Sequence, residues 1–186
     1  PVPLDPSFAD RLRPLLDEFP FTVNHVAMAA WALVLSRLCR TEVVCFGQVR
    51  HGIPATLSGA DTVVGSMVDT WPFVVPVDDQ MSVVDFLADV SARHRKMYAL
   101  QTLEVSDLIT RSFPAGTEDV MSTVVNNVIA EEDDPPDRTL AITQQRKSAA
   151  LQPTMTVIAG KQPRMEIVTS ARHAQFGRIA AIALGE

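Results

Sequence analysis

The sequence predicts an α/β fold built on a mixed sheet with flanking helices. Three observations carry this. Amphipathic segments with helical spacing alternate with short β-branched runs along the chain. Stretches containing Gly and Pro separate them. One helical segment is apolar on nearly every side, as expected of a helix buried between layers.

The first helix spans Ser7 to Phe19, with Phe8, Leu12, Leu15 and Leu16 on one side. Pro20 ends it, because proline disfavours helical geometry in the residue before it. Thr22 is placed to cap a second helix, Val23 to Leu38. This is the segment that is apolar nearly all round (Val26, Ala29, Ala30, Trp31, Leu33, Val34, Leu35, Leu38). Glu42 to Val49 reads as a buried strand, and His51 to Ala60 as a loop. Thr62 to Val68 and Phe73 to Val77 read as extended. Pro72 and Pro76 place the latter pair in an irregular or edge strand.

Ser82 to Tyr98 is the clearest helix. Ser82 caps it with Asp85 three residues on, and Val83, Phe86, Leu87, Val90, His94 and Met97 form its stripe. Glu104 to Phe113 is a shorter helix stopped by Pro114. Asp119 to Ala130 reads as a strand and Glu131 to Asp137 as an acidic loop. Thr154 to Ala159 and Met165 to Thr169 form a hairpin, and Ala171 to Leu184 is a closing helix.

The chain has 186 residues, enough for one domain with a sizeable core. It is 47% hydrophobic and 20% charged, a globular balance. A net charge of -6 with no basic cluster argues against nucleic acid as a partner. The longest apolar run, Val26 to Leu35, is too short for a bilayer, and no segment reads as a signal peptide. A cytoplasmic chain with no membrane partner is expected. Cys39 and Cys45 have no metal-ligand spacing, so no metal is expected and both read as small buried thiols. The chain begins at Pro1 and stops just after an apolar helical pattern, which leads us to expect a piece of a larger polypeptide.

Familiar catalytic motifs are missing. There is no GxxxxGK[ST], GxGxxG, GxSxG or HExxH. His25 and His94 fall on apolar helical faces and read as structural imidazoles. His173 reads as a surface residue. His51, between a strand and Gly52, is a weak functional candidate because loops carry sites.

The order of phrases adds a resemblance. Phe21 to Leu38 (FTVNHVAMAAWALVLSRL), Glu42 to Val49 (EVVCFGQV) and Val63 to Val77 (VVGSMVDTWPFVVPV) resemble consecutive segments of nonribosomal peptide synthetase condensation domains. Met81 to Leu100, Gln101 to Ile109 and Thr123 to Ile129 continue the order, and Thr154 to Leu184 resembles the closing elements. The resemblance covers nearly the whole chain and corresponds to the C-terminal half of such a domain.

What it implies is half of a chloramphenicol-acetyltransferase-like fold. Two halves would enclose a tunnel, with peptidyl carrier proteins inserting phosphopantetheine arms from its two mouths. An acceptor amine would attack a donor thioester to form an amide. The chain would bind no cofactor of its own. Its partners would be carrier proteins and the N-terminal half that bears the catalytic HHxxxDG motif. That motif does not occur here, so the chain alone is expected to be inactive and to hold no catalytic residue. The alternatives are a non-catalytic scaffold or carrier-docking domain, and an acyltransferase of the same fold that uses free coenzyme A thioesters.

On the resemblance, Trp31 lines the tunnel wall, and Asp69 and Thr70 sit near the junction of the halves. Gln101 meets the acceptor or its pantetheine arm. Asn126 or Asn127 braces a neighbouring strand or loop. Without it, Trp31 is a core indole, Asp69 and Thr70 are strand-end polarity, and Gln101 is a helix-terminal surface residue. The sequence also departs from the family pattern. Asp69 stands for Asn, Trp71 for Leu, Leu100 for His, and the Gly-Arg pair appears as Arg50-His51-Gly52.

Overall fold

A computed structural model of the chain describes residues 8–51, 58–59, 62, 68–100, 103–114, 120–129, 153–159, 164–169, 175–176 and 178–180. Helix α1 (Phe8–Glu18) leads into α2 (Val23–Cys39). Thr22 caps α2 in a reciprocal box: its hydroxyl accepts from His25 N–H while the His25 ring accepts from Thr22 N–H. Arg40 closes the helix in the left-handed conformation, donating its N–H to Ser36 O. As the sequence predicts, α2 is buried along most of its length, with Met28, Trp31 and Ala32 fully enclosed. Cys39 departs from expectation. It falls on the last turn and is exposed.

Strands β1 (Val43–His51) and β2 (Val68–Pro76) pair antiparallel. Helices α3 (Val83–Ala99) and α4 (Val105–Ser112) follow, then β3 (Val124–Ile129), β4 (Thr154–Ala159) and β5 (Arg164–Val168). The five strands form one mixed sheet in the order β2-β1-β3-β4-β5. β1, β3 and β4 run parallel, with antiparallel strands at both edges. The predicted α/β class and the β4–β5 hairpin are therefore found. Helices α2 and α3 pack on each other, and α2 packs on β1, β3 and β4.

β2 is an edge strand, as its prolines suggest, but it is continuous. Val77 N–H donates to Glu42 O at 2.7 Å, so Trp71, Phe73 and Val75 share the register position whose amides face β1. Pro72 and Pro76 fall on the alternate positions, where a missing N–H costs no ladder bond. Thr62 is not extended as expected but lies in a single 3-10 position. β1 runs two residues further than predicted, so His51 ends a strand rather than starting a loop. Val83 is also misassigned by the period: it opens α3, one turn beyond the packed stripe, and is 70% exposed. The other predicted stripe residues of α3 are buried. The loop predicted at Glu131 to Asp137 lies outside the described residues. So does most of the closing helix, of which residues 175–176 and 178–180 are helical.

One glycine is required by packing. A Cβ on Gly47 would lie 2.6 Å from Thr70 Cγ2 across the ladder and 3.3 Å from Val124 Cγ2. Thr70 is β-branched and its rotamer freedom is small. Gly47→Ala is therefore expected to lower stability by ~2 kcal/mol, the scale of overpacking. Adding Thr70→Ser, which removes the opposing methyl, should restore most of it in urea unfolding.

Candidate functional site

The carboxyl ends of β1, β3 and β4 point the same way, and sites in open α/β sheets form at such ends. Alternation along β1 and β2 decides what reaches that end on the helix-covered face. Val44 and Phe46 on β1 oppose Val75 and Phe73 on β2, and these four are core residues. The next pairs on the same face are Gln48 with Trp71 and Arg50 with Asp69. The ladder thus passes from an apolar to a polar end without leaving the interior: Gln48 is 2% exposed and Arg50 3%.

Arg50 is held by two residues. Its Nε donates to Asp69 Oδ1 at 2.7 Å and its Nη2 to Asp69 Oδ2 at 3.0 Å. Its Cζ lies 3.8 Å from the centroid of the Trp71 ring. Trp71, fully buried, donates its indole N–H to Asp69 Oδ2 at 2.9 Å. Partial burial raises the Asp69 pKa, but the hydrogen bonds from Arg50 and Trp71 and the Arg50 charge outweigh it, so the carboxyl is held below its ordinary value. Three N–H groups thus meet a carboxylate that offers about four lone-pair sites. Asp69 is an ionised clasp for Arg50 and Trp71. Gln48 donates its amide to Val49 O at 2.8 Å, while its Oε1 is buried with no partner among the described residues.

Two of the expected site residues part in this geometry. Asp69 and Thr70 are adjacent in β2 and so face opposite sides of the sheet: Asp69 the helix side, Thr70 the side where its methyl lies against Gly47. Trp31 is 0% exposed, and its indole N–H donates to Thr123 Oγ1 at 3.1 Å. Its ring meets Phe176 edge-on. It is an interior residue of this chain rather than part of a surface wall, because both ends of the indole are engaged inside. Asn126 is half-buried within β3. Asn127 pairs with Val157 through the β3–β4 ladder, and its side chain lies outside the described residues. Gln101 and the side chain of His51 lie outside them too.

Two features were missed in the sequence. One is the Arg50–Asp69–Trp71 clasp. Its signal is the parity of β1, which puts Arg50 in line with the inward Val44 and Phe46. The other is that His25 and His94 bond each other, Nε2 to Nδ1, at 3.1 Å. Cys45 is half-buried, and burial, against a backbone hydrogen bond with Phe73, pushes its thiol up to about 11, so it is not a nucleophile at neutral pH. Among the described residues no group of His, Cys, Asp and Glu is arranged to hold a metal ion. No single helix among them is long and apolar enough to cross a membrane.

The mixed sheet and its helices define a chloramphenicol-acetyltransferase-like fold. The condensation domain of the Monacolin K polyketide synthase MokA superposes with a TM-score of 0.73 at 15% identity, over 98% of this chain and 46% of that one. The first condensation domain of the calcium-dependent antibiotic synthetase, in complex with substrate analogue 3a, gives 0.65 at 14% identity, over 98% and 44%. In sequence, malformin synthetase mlfA of Aspergillus lacticoffeatus (strain CBS 101883) is 30% identical over 115 residues, 60% of this chain and 2% of that protein. A linear gramicidin synthase of Brevibacillus parabrevis is 28% identical over 107 residues, 58% of this chain and 2% of that protein. The condensation domain family matches residues 2–165, and the chain belongs to that family. It spans about 2% of the length of these curated relatives and less than half of the solved chains.

Proposed function

We propose that the chain is the C-terminal half of a nonribosomal peptide synthetase condensation domain, forming one wall of a carrier-protein-dependent amide-forming site. The observation that carries this is the family match over residues 2–165, joined to superposition of 98% of the chain on under half of a solved condensation domain. In the proposed reaction an aminoacyl acceptor attacks the thioester of an acyl or peptidyl donor. Both are tethered to phosphopantetheine on peptidyl carrier proteins. A C–N bond forms, the C–S bond breaks, and the amine's proton leaves with the thiol or to solvent.

No HHxxxDG occurs among the 186 residues, so the proton-handling group belongs to the other half and this half alone is inactive. Its contribution is positional: a rigid surface that fixes two tethered reactants in a shielded space. The clasp fits that role, since Asp69 and the Trp71 indole N–H are engaged within the chain and hold the end of β1 in place. The same feature favours a second reading, a non-catalytic carrier-docking domain, because the clasp ties Asp69 and the Trp71 N–H to the chain's own Arg50 and to each other.

The test uses the intact polypeptide with donor and acceptor loaded on their carriers. Mass spectrometry of the carriers should show the amide on the acceptor arm. Carriers that bind without amide formation support the docking reading, and the absence of both overturns the assignment. In this assay His51→Ala is expected to change turnover little. A loss of ~100-fold with folding intact, the scale of lost acid–base catalysis, would give His51 a chemical role.

A further inference from the structure

We propose that the His25–His94 pair is an acid-sensitive latch that holds α3 on α2. The pair joins the two helices through a buried bond, with His25 7% and His94 8% exposed. Its proton positions follow from the backbone. Thr22 N–H donates to His25 Nδ1 at 3.1 Å, so the His25 proton sits on Nε2. That Nε2–H faces His94 Nδ1 at 3.1 Å, which therefore accepts. The His94 proton is then on Nε2, a buried atom with no hydrogen-bond partner among the described residues. Both rings are neutral and both acceptor nitrogens are occupied.

A further proton displaces one of these bonds. On His25 Nδ1 it meets the Thr22 N–H, and among the described residues only the Thr22 hydroxyl oxygen, 3.2 Å away, can accept it. On His94 Nδ1 it meets the His25 Nε2–H. The first opposes a bond of the α2 cap; the second sets two hydrogens against each other and breaks the bond that ties the helices. The surroundings do not compensate. From α3, Arg95 brings like charge towards His25, and the Tyr98 ring meets His94 edge-on at 4.9 Å between centroids. From β2, Phe73 meets His94 edge-on at 6.2 Å. No carboxylate is among the groups that shift either ring.

Burial first, then the Arg95 charge, lowers the His25 pKa. Burial first, then His25, lowers that of His94 from 6.5 to about 4. Between those values the unfolded chain binds more protons than the folded one, so stability is complete above the ordinary histidine range and falls as pH drops through it. For His94 alone the folding equilibrium should weaken ~100-fold from pH 6.5 to about 4.

Imidazole nitrogen spectra of the 186-residue chain test this directly. At pH 7 both His25 and His94 should show the Nε2–H form, and neither should titrate near pH 6.5. On acidification, amide exchange in α3, corrected for intrinsic rates, should rise at least tenfold before that of β1. His94→Phe fills the space without titrating and should lose most of the pH dependence in that window. Ordinary titration of either ring near pH 6.5, or an unchanged pH slope in His94→Phe, overturns the latch. If His94→Phe does not fold, the wild-type spectra and exchange order decide alone.

Discussion

Asp69→Asn is expected to destabilise the chain by ~3 kcal/mol at neutral pH, the lower end for removing one partner of a buried ion pair. The lower end applies because the Asp69 side chain is 37% exposed while that of Arg50 is 2% exposed. The guanidinium would lose its bidentate charged acceptor while remaining inside the sheet–helix layer. The substitution also turns an acceptor-only group into an amide whose NH₂ faces the Arg50 and Trp71 donors. The charge effect has a defined pH window. The Asp69 pKa is depressed in the folded chain, so its contribution is present above the ordinary carboxylate value and is lost as pH falls through the folded value. The difference between wild type and Asp69→Asn should therefore shrink in strong acid. Replacing both partners, as Arg50→Met with Asp69→Leu, should restore much of the stability, since apolar residues of similar volume often match a buried pair. A double variant as unstable as the sum of its singles would show that Arg50 and Asp69 act separately.

This clasp shows where the sequence stops being readable. The helix stripe of α3, the buried α2 and the β4–β5 hairpin follow from local period and caps, and each lies within a few residues of its predicted place. Pairing between strands does not follow from local pattern. Arg50 and Asp69 are 19 positions apart, and only the antiparallel register sets them face to face. That register also turns Pro72 from an irregularity into an ordinary edge residue. The His25–His94 bond spans 69 positions, and each ring alone reads as a core histidine. The resemblance located Asp69 and Trp31 as residues of interest. It did not reveal that each is engaged inside the chain, because a motif records residue identity and not which face of a strand or helix it occupies.

Trp31→Ala is expected to cost ~4 kcal/mol, the scale for truncating a fully buried aromatic side chain. Three losses combine. The indole is 0% exposed, so its removal leaves a cavity between α2 and the sheet. The edge-on contact with Phe176 goes. Thr123 Oγ1, in a residue 5% exposed, loses the indole donor. Thr123 matters because its carbonyl also accepts from Gly47 N–H at 2.8 Å, just where β1 and β3 begin to pair. Trp31 therefore braces the parallel core of the sheet through one hydroxyl-bearing residue. Trp31→Phe keeps much of the volume and should cost ~1–2 kcal/mol for the lost hydrogen bond. Thr123→Val should cost about as much, because it buries an indole N–H without an acceptor. The two together should cost clearly less than their sum, with a coupling of ~1 kcal/mol in urea unfolding. Strict additivity would remove the brace. A residue lining a substrate passage would behave differently: Trp31→Phe would leave unfolding unchanged and alter which acyl group is accepted.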